Sequence, residues 1–420
     1  MDRYKKYCNA KGILHILIFA YGLSMVFLFY KQTRWSGGAV YESDLPVHIR
    51  MIVEDGWYYS LTAFVYKAFY SVPVTLPEGA VFGDAAVAVF LALCGVASVY
   101  LTAVLLRDME KAPAAGEKGV PLELTAWHLL GGLILNLVMP CYVRGIADGR
   151  YIGMESASIW HNSTYIVMKM MGLLCVIYCG RLAKKYRDGI TGREWLLFTG
   201  YLSICTAIKP SFLLVFAPAM AVFLLIDFLD GLGRKLSFKA VFGRAFVFGS
   251  VVFLPLFVVL FQNMVLFGSD TGNGWEVRPG YALSLHSGYP HLSAIFSILF
   301  PLAILAAFLR ELWDDRWFSG AWLMALIGFL EVFLFTETGS RAGDGNFMWG
   351  YSFAILMIFA AALVKWAQFG KKVFKKEHRT EHFLRTGFFI CSGLILGWHL
   401  YCGVYFYMNL LKGVSYYMWD

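Results

Sequence analysis

Long apolar runs constrain this chain more than any other feature, because several of them reach the roughly 20 residues that a helix needs to cross a bilayer. Hydrophobic residues make up 59% of the chain and charged residues 15%, against about a quarter charged in soluble domains. This composition excludes a soluble enzyme and a disordered chain. Since lipid offers an open backbone no hydrogen-bond partner, each crossing segment must be helical. The sequence therefore predicts an all-α, polytopic membrane helix bundle.

The apolar runs predict about eleven transmembrane helices in one domain that covers residues 1–420. The run from Trp195 to Leu229 is counted as two helices, because one helix of that length would extend about 52 Å, far beyond the bilayer core. Lys209-Pro210 lies in its middle, and a charge beside a helix breaker indicates a turn at the membrane surface. The predicted spans are approximately 13–30, 81–106, 124–143, 163–182, 195–208, 211–229, 245–267, 293–309, 320–336, 348–366 and 386–408.

Lysine and arginine orient the predicted bundle. If the N-terminus is cytoplasmic, the inner segments hold 25 of the 36 basic residues and the outer segments hold ten, which is the bias typical of membrane proteins. An odd number of spans then leaves the C-terminus outside a multi-pass cell-membrane protein. The first apolar run is interpreted as an anchor, because it has no convincing cleavage site. The net charge of +8 belongs to the inner membrane surface, so lipids and not nucleic acid are the expected partners.

The longest predicted outer segment, 31–80, holds the first candidate site residues. Asp44 and His48 are four residues apart, and Pro46 between them suits the first turn of a helix. The apolar and aromatic spacing that follows, through Tyr70, predicts an interfacial helix with a break at Gly56. Asp44 is then either a simple helix cap or a functional carboxylate near the positive end of the helix dipole.

Further polar and aromatic residues occupy the other outer segments. The loop 268–292 is rich in glycine and proline, and 337–347 is dense in polar groups, so both are interpreted as site loops. An ordinary loop stays the alternative for each, as does a snorkelling side chain for Lys209. No ligand set with metal spacing stands out, although the many acids leave a divalent metal open. With His48, the candidate binding residues are Arg150, His161, Lys209, Arg278, His286, His291, Glu337, Arg341, Asp344 and Asn346.

Two charged residues lie inside predicted spans. Lys169 belongs to the fourth span and Glu331 to the ninth. An isolated charge in lipid is costly, so both are predicted to face the bundle interior. A mutual ion pair would neutralise both.

Four short outer motifs resemble bacterial integral-membrane glycosyltransferases of the GT-C superfamily. The resemblance implies a helix bundle around a cavity open to the outer leaflet. It also implies transfer of a sugar from a polyprenyl-phosphate-linked donor to a glycan or lipid-linked acceptor of the cell envelope. The motifs are SDLPVHI at 43–49, WHNSTY at 160–165, KPSF at 209–212 and ETGSRAGDGNFMWG at 337–350.

The GT-C resemblance implies that an acid in the first outer loop acts as base or metal ligand. The matching residue is Asp44. Many relatives carry this acid, often as a pair, directly after the first helix, whereas here it lies about fourteen residues beyond, so Glu42, Glu54 and Asp55 also stay candidates.

Sugar transfer from a lipid phosphate requires two kinds of group. A base takes the proton of the acceptor hydroxyl, and cationic groups stabilise the charge on the departing phosphate. Asp44 suits the first role, and the basic candidates with the outer histidines suit the second; direct displacement would invert the anomeric centre. Trp57, Trp160, Trp275 and Trp349 stack on sugar rings or belong to the membrane belt. The alternatives are a transporter or flippase of a lipid-linked saccharide, and a polymerase or ligase that joins finished glycans.

Overall fold

The computed structural model describes residues 2–79, 81–110, 123–143, 155–266, 274–374 and 379–416. These residues form a mostly helical bundle with one two-stranded antiparallel sheet, which agrees with the predicted all-α class. The strands are β1 (Trp275–Val277) and β2 (Phe335–Glu337). The helices are α1 (Asp2–Thr33), α2 (Leu45–Val53), α3 (Leu61–Tyr70), α4 (Phe82–Glu110), α5 (Ala126–Leu135), α6 (Ser163–Ala183), α7 (Gly192–Ile208), α8 (Ser211–Gly233), α9 (Phe238–Gly249), α10 (Phe253–Phe261), α11 (Tyr281–His286), α12 (Pro290–Ser297), α13 (Leu299–Ala307), α14 (Glu311–Asp314), α15 (Arg316–Leu334), α16 (Met348–Val373) and α17 (Arg379–Leu411).

Eight helical stretches of the described chain are long and apolar enough to cross a membrane, or nine if α12 and α13, bent by 68°, form one span. The predicted multi-pass architecture therefore agrees with the structure, whereas the count of about eleven is not reproduced. The eight stretches are Ala10–Thr33, Phe82–Glu110, Ser163–Ala183, Ser211–Gly233, Phe238–Met264, Arg316–Leu334, Met348–Val373 and Phe383–Leu411.

The predicted span 124–143 contains only the ten residues of α5, a length of about 15 Å, or half of the bilayer core. The buried, extended chain that follows packs inside the bundle. Its amide at Met139 donates to the carbonyl of His399 (3.1 Å), and that of Cys141 to the carbonyl of Phe296 (3.0 Å). Irregular backbone is tolerated at membrane depth where protein surrounds it.

The division of the run from Trp195 to Leu229 is confirmed. α7 ends at Ile208, Lys209 and Pro210 form the turn, and α8 begins at Ser211. With seventeen residues, α7 extends about 25 Å, somewhat less than the bilayer core.

α16 is the central helix of the bundle. Every side chain from Met348 to Lys365 is buried, and α4, α8, α13, α15 and α17 all pack against it. In the segment 31–80, α2 and α3 are two short helices, and Gly56 lies between them at a φ of +67°. The predicted break at Gly56 is therefore confirmed. These packed helices fix the positions of the loops at one end of the bundle.

Candidate functional site

A cavity of about 990 Å³ opens at one end of the bundle, a volume typical of ligand sites. Its walls are formed by α2, the loop before α6, the turn between α7 and α8, the end of α10, and the segment that joins α15 to α16. Eight of the residues predicted from the sequence line it: Asp44, His48, His161, Lys209, Glu337, Arg341, Asp344 and Asn346.

Among the described side chains, two of the other predicted binding residues, Arg278 and His291, do not line this cavity. Arg278 lies over the ring of Tyr281 (3.6 Å from the guanidinium carbon to the centroid), because the amides of Arg278 and Gly280 bond to the end of α15 and turn the loop back. His291 is exposed in the first turn of α12. His286 is the last residue of α11 and its side chain lies outside the described part, as does the whole of Arg150.

Asp44 lies at the start of α2, where its backbone carbonyl accepts the amide of His48 (3.0 Å). Its carboxylate makes no capping hydrogen bond to α2, so capping alone does not explain it. The Nδ2 atom of Asn162 approaches one carboxylate oxygen at 3.5 Å. Burial raises the pKa of Asp44 to about 6, and the positive charge of Lys209 opposes this rise.

Lys209 is buried in the cavity wall, only 9% exposed, and does not snorkel to a surface. Its Nζ donates to Oγ1 of Thr164 (3.2 Å) and lies 4.9 Å from the ring centroid of Trp349. Among the described residues it has no carboxylate as an ion-pair partner. Burial lowers the pKa of Lys209 to about 8, opposed by the charges of Asp44 and Glu337, so the side chain stays mostly cationic at neutral pH.

The segment between α15 and α16 forms a compact polar unit. The backbone amide of Asn346 donates to Oε2 of Glu337 (3.1 Å), and its Nδ2 donates to Oε1 (2.9 Å). Arg341 lies 3.8 Å from Glu337 and 3.1 Å from Asp344. Burial raises the pKa of Glu337, opposed by Asn346. Carboxylates of its own segment therefore compensate the charge of Arg341, whereas the charge of Lys209 has no such partner among the described residues.

Two histidines complete the polar wall. His48 hydrogen-bonds through Nδ1 to the hydroxyl of Tyr59, and burial lowers the pKa of His48 to about 4. His161 stacks on Tyr416 with ring centroids 4.3 Å apart, and burial lowers the pKa of His161 to about 3. Both imidazoles are neutral at pH 7, so they offer hydrogen bonds and not the positive charge expected of the outer histidines.

The charges inside the predicted spans do not pair with each other. Lys169 is buried as predicted, but its Nζ donates to the carbonyl of Ala157 (2.9 Å). Glu331 instead lines the cavity. Lys169 belongs to α6 and Glu331 to α15, and the position of a charge within its predicted span does not show which groups its side chain will contact.

The aromatic candidates divide between cavity and core. Trp57, Trp275 and Trp349 line the cavity. Trp160 is buried against Tyr407, and its indole nitrogen donates to the hydroxyl of Tyr21 (2.9 Å), so it belongs to the packing of the bundle.

Sequence reasoning missed several lining residues, namely Tyr59, Thr164, Gln262, Asn263 and Tyr416. The adjacent polar pair Gln262-Asn263 near the end of an apolar run was the available signal. No sequence signal indicated Tyr416. The amide of Tyr41 donates to the carbonyl of Gly413 (3.0 Å), and this contact places the segment after α17 beside the first loop.

No group of three or more acidic, histidine or cysteine side chains in the described chain is placed to hold a metal ion. No protein-family model matches the chain, and no curated protein matches its sequence. The resemblance to GT-C enzymes therefore depends on the four motifs.

Proposed function

We propose that this protein is a membrane glycosyltransferase of GT-C type, which transfers a sugar from a polyprenyl-phosphate donor to a cell-envelope acceptor at the outer face. One observation carries the proposal: Asp44 supplies a carboxylate and Lys209 a buried cation to one cavity, and this cation has no ion-pair partner in the part of the chain that the structure describes. All four motifs that resemble the superfamily contribute lining residues to this cavity.

Asp44 is the proposed general base. With a pKa of about 6, it is mostly ionised at neutral pH while remaining basic enough to take a proton, which is the compromise that favours proton transfer. It takes the proton of the acceptor hydroxyl as that oxygen attacks the anomeric carbon. The bond from this carbon to the phosphate oxygen breaks, the phosphate keeps the electron pair, and the anomeric centre inverts.

Lys209 is the proposed phosphate-binding group. Its remaining N–H donors are held in a water-poor wall, where a positive charge stabilises a developing phosphate charge more strongly than in water. Leu214 and Val259 line the same cavity, and the neighbouring Phe257 and Leu260 are exposed on α10. This apolar surface suits the isoprenoid chain of the donor.

The direct test is transfer by the purified protein in lipid nanodiscs. Labelled polyprenyl-phosphate sugars are supplied with envelope glycolipid acceptors, and the product is analysed for a new glycosidic bond of inverted configuration. We expect product from the wild-type protein and none from Asp44→Asn. Asp55, the other candidate acid on the nearby turn, is exposed and does not line the cavity, so Asp55→Asn serves as the matched acid-to-amide control. Label that crosses a liposome membrane without a new bond would instead support a transporter, and full activity of Asp44→Asn would exclude this base.

A further inference from the structure

Gln262 is a buried side chain in the cavity wall whose hydrogen bonding is only half complete. It begins a short π-helical turn, Gln262–Leu266, at the end of α10, and is 7% exposed. Its Nε2 donates to the carbonyl of Ala207 (3.1 Å). Its Oε1 has no hydrogen-bond partner among the described residues. Single π-helical turns within helices are frequent at functional sites.

The orientation of this amide is determined by its neighbour. The carbonyl of Ala207 can only accept a hydrogen bond, so the nitrogen of the Gln262 amide must face it and Oε1 must face away. A buried acceptor that lacks a donor is unfavourable, and native structures rarely keep one without a ligand or water. The missing partner of Gln262 must therefore be a hydrogen-bond donor.

A phosphate group cannot satisfy Oε1 of Gln262, because its ionised oxygens only accept. A sugar hydroxyl can donate to this oxygen, and Glu331, which lines the same cavity, offers a second polar side chain to a sugar. Lys209 presents the opposite case, since it offers donors that a phosphate can accept.

Lys209 and Gln262, whose Oε1 has no partner among the described residues, line the same cavity. Gln262 is hydrogen-bonded to Ala207, two residues before Lys209, so a ligand that binds Lys209 through its phosphate can extend to the Gln262 side chain. We propose that Gln262 binds a ring hydroxyl of the donor sugar and so makes the cavity selective for the sugar-bearing form of the lipid phosphate. This inference rests on the proposed function, because it takes the phosphate to bind at Lys209.

The test compares two ligands on protein in nanodiscs, polyprenyl-phosphate glucose and bare polyprenyl phosphate. We expect the wild-type protein to bind the sugar-bearing lipid about tenfold more tightly, the scale of one satisfied buried hydrogen bond. Gln262→Met keeps the size of the side chain and should bring this ratio close to one, with unchanged affinity for the bare lipid. Gln32→Met, at another buried glutamine that does not line the cavity, is the matched control and should keep the ratio.

The outcomes separate this inference from the proposed function. If the wild-type protein binds both lipids and Gln262→Met leaves the ratio unchanged, the inference is wrong while the phosphate site stands. If the wild-type protein binds neither lipid, the phosphate site and this inference fall together. Should Gln262→Met not fold, glucose donors that lack single hydroxyl groups decide with the wild-type protein: one of them must lose the advantage, and equal binding of all of them overturns the inference.

Discussion

Lys209 and Arg341 carry the same formal charge in the same cavity, but they differ in how far neighbouring groups compensate that charge. Two carboxylates of its own segment lie near Arg341, whereas Lys209 contacts a hydroxyl and an aromatic ring. A charge that is already compensated attracts an anion less strongly than one that is not. The sequence shows both residues as isolated basic positions in polar segments, and only the folded chain distinguishes them.

Lys209→Met should lower kcat/KM for a polyprenyl-phosphate donor by about a hundredfold, the effect of losing one charge-stabilising group in a buried site. Arg341→Met should lower it by about tenfold or less. Kinetics with donor and acceptor varied separately provide the measurement, and the exposed Lys412→Met is the control. An equal effect of Lys209→Met on donor and acceptor would contradict a phosphate site.

The activity should depend on pH as a bell centred near pH 7. The base must be deprotonated, so activity rises through the pKa of Asp44 at about 6, and the cation must be protonated, so activity falls through the pKa of Lys209 at about 8. Profiles of kcat/KM measure both limbs. His161→Gln should leave the acid limb in place, because the pKa of His161 is about 3. Activity that still climbs at pH 9 would rule out the role of Lys209.

At the scale of elements, one residue of α17 contacts both the chain after α5 and the bend between α12 and α13. His399 bonds through Nδ1 to the carbonyl of Met139 (2.7 Å), which lies beyond the end of α5, and the amide of Phe300, at the bend between α12 and α13, points to its Nε2 (3.3 Å). A single neutral imidazole tautomer satisfies both contacts. The apolar run 124–143 looked like a full span because hydropathy does not distinguish a helix from buried extended chain.

Gly403 of α17 provides a test of this close packing. A Cβ atom there would lie 1.5 Å from the carbonyl oxygen of Leu137, so Gly403→Ala must displace the backbone after α5. We expect it to destabilise the protein by about 1–3 kcal/mol, the usual penalty for overpacking. Gly397→Ala on the same helix meets nothing within 4 Å and should be neutral. Thermal unfolding in detergent compares the two, and equal melting temperatures would show that α17 does not approach the chain this closely.

Across the whole molecule, the sequence predicted which loops lie together better than it predicted which apolar runs form complete spans. The five loops assigned to the outer side and the chain after α17 all reach the same cavity, as the predicted alternation of spans requires. The count of spans and the place of Arg278 could not be predicted, since both depend on where buried backbone finds its partners. Cavity residues near the predicted turns, such as Lys209, could be predicted from the sequence. A charged side chain within an apolar run is costly in lipid, so it must lie at the membrane surface or face the bundle interior.

The predicted orientation can be tested on intact cells, because the two ends of the bundle carry exposed lysines. Lys412 follows α17 at the cavity end, and Lys184 follows α6 at the opposite end, one helix length away from Thr164 in the cavity wall. If the basic end is cytoplasmic, Lys412→Cys should react with a membrane-impermeant maleimide in intact cells, and Lys184→Cys should react only after the membrane is opened. The wild-type chain supplies the background from its own cysteines. The reverse labelling pattern would place the cavity in the cytoplasm, where a donor in the outer leaflet cannot reach Asp44, and would exclude transfer at the outer face.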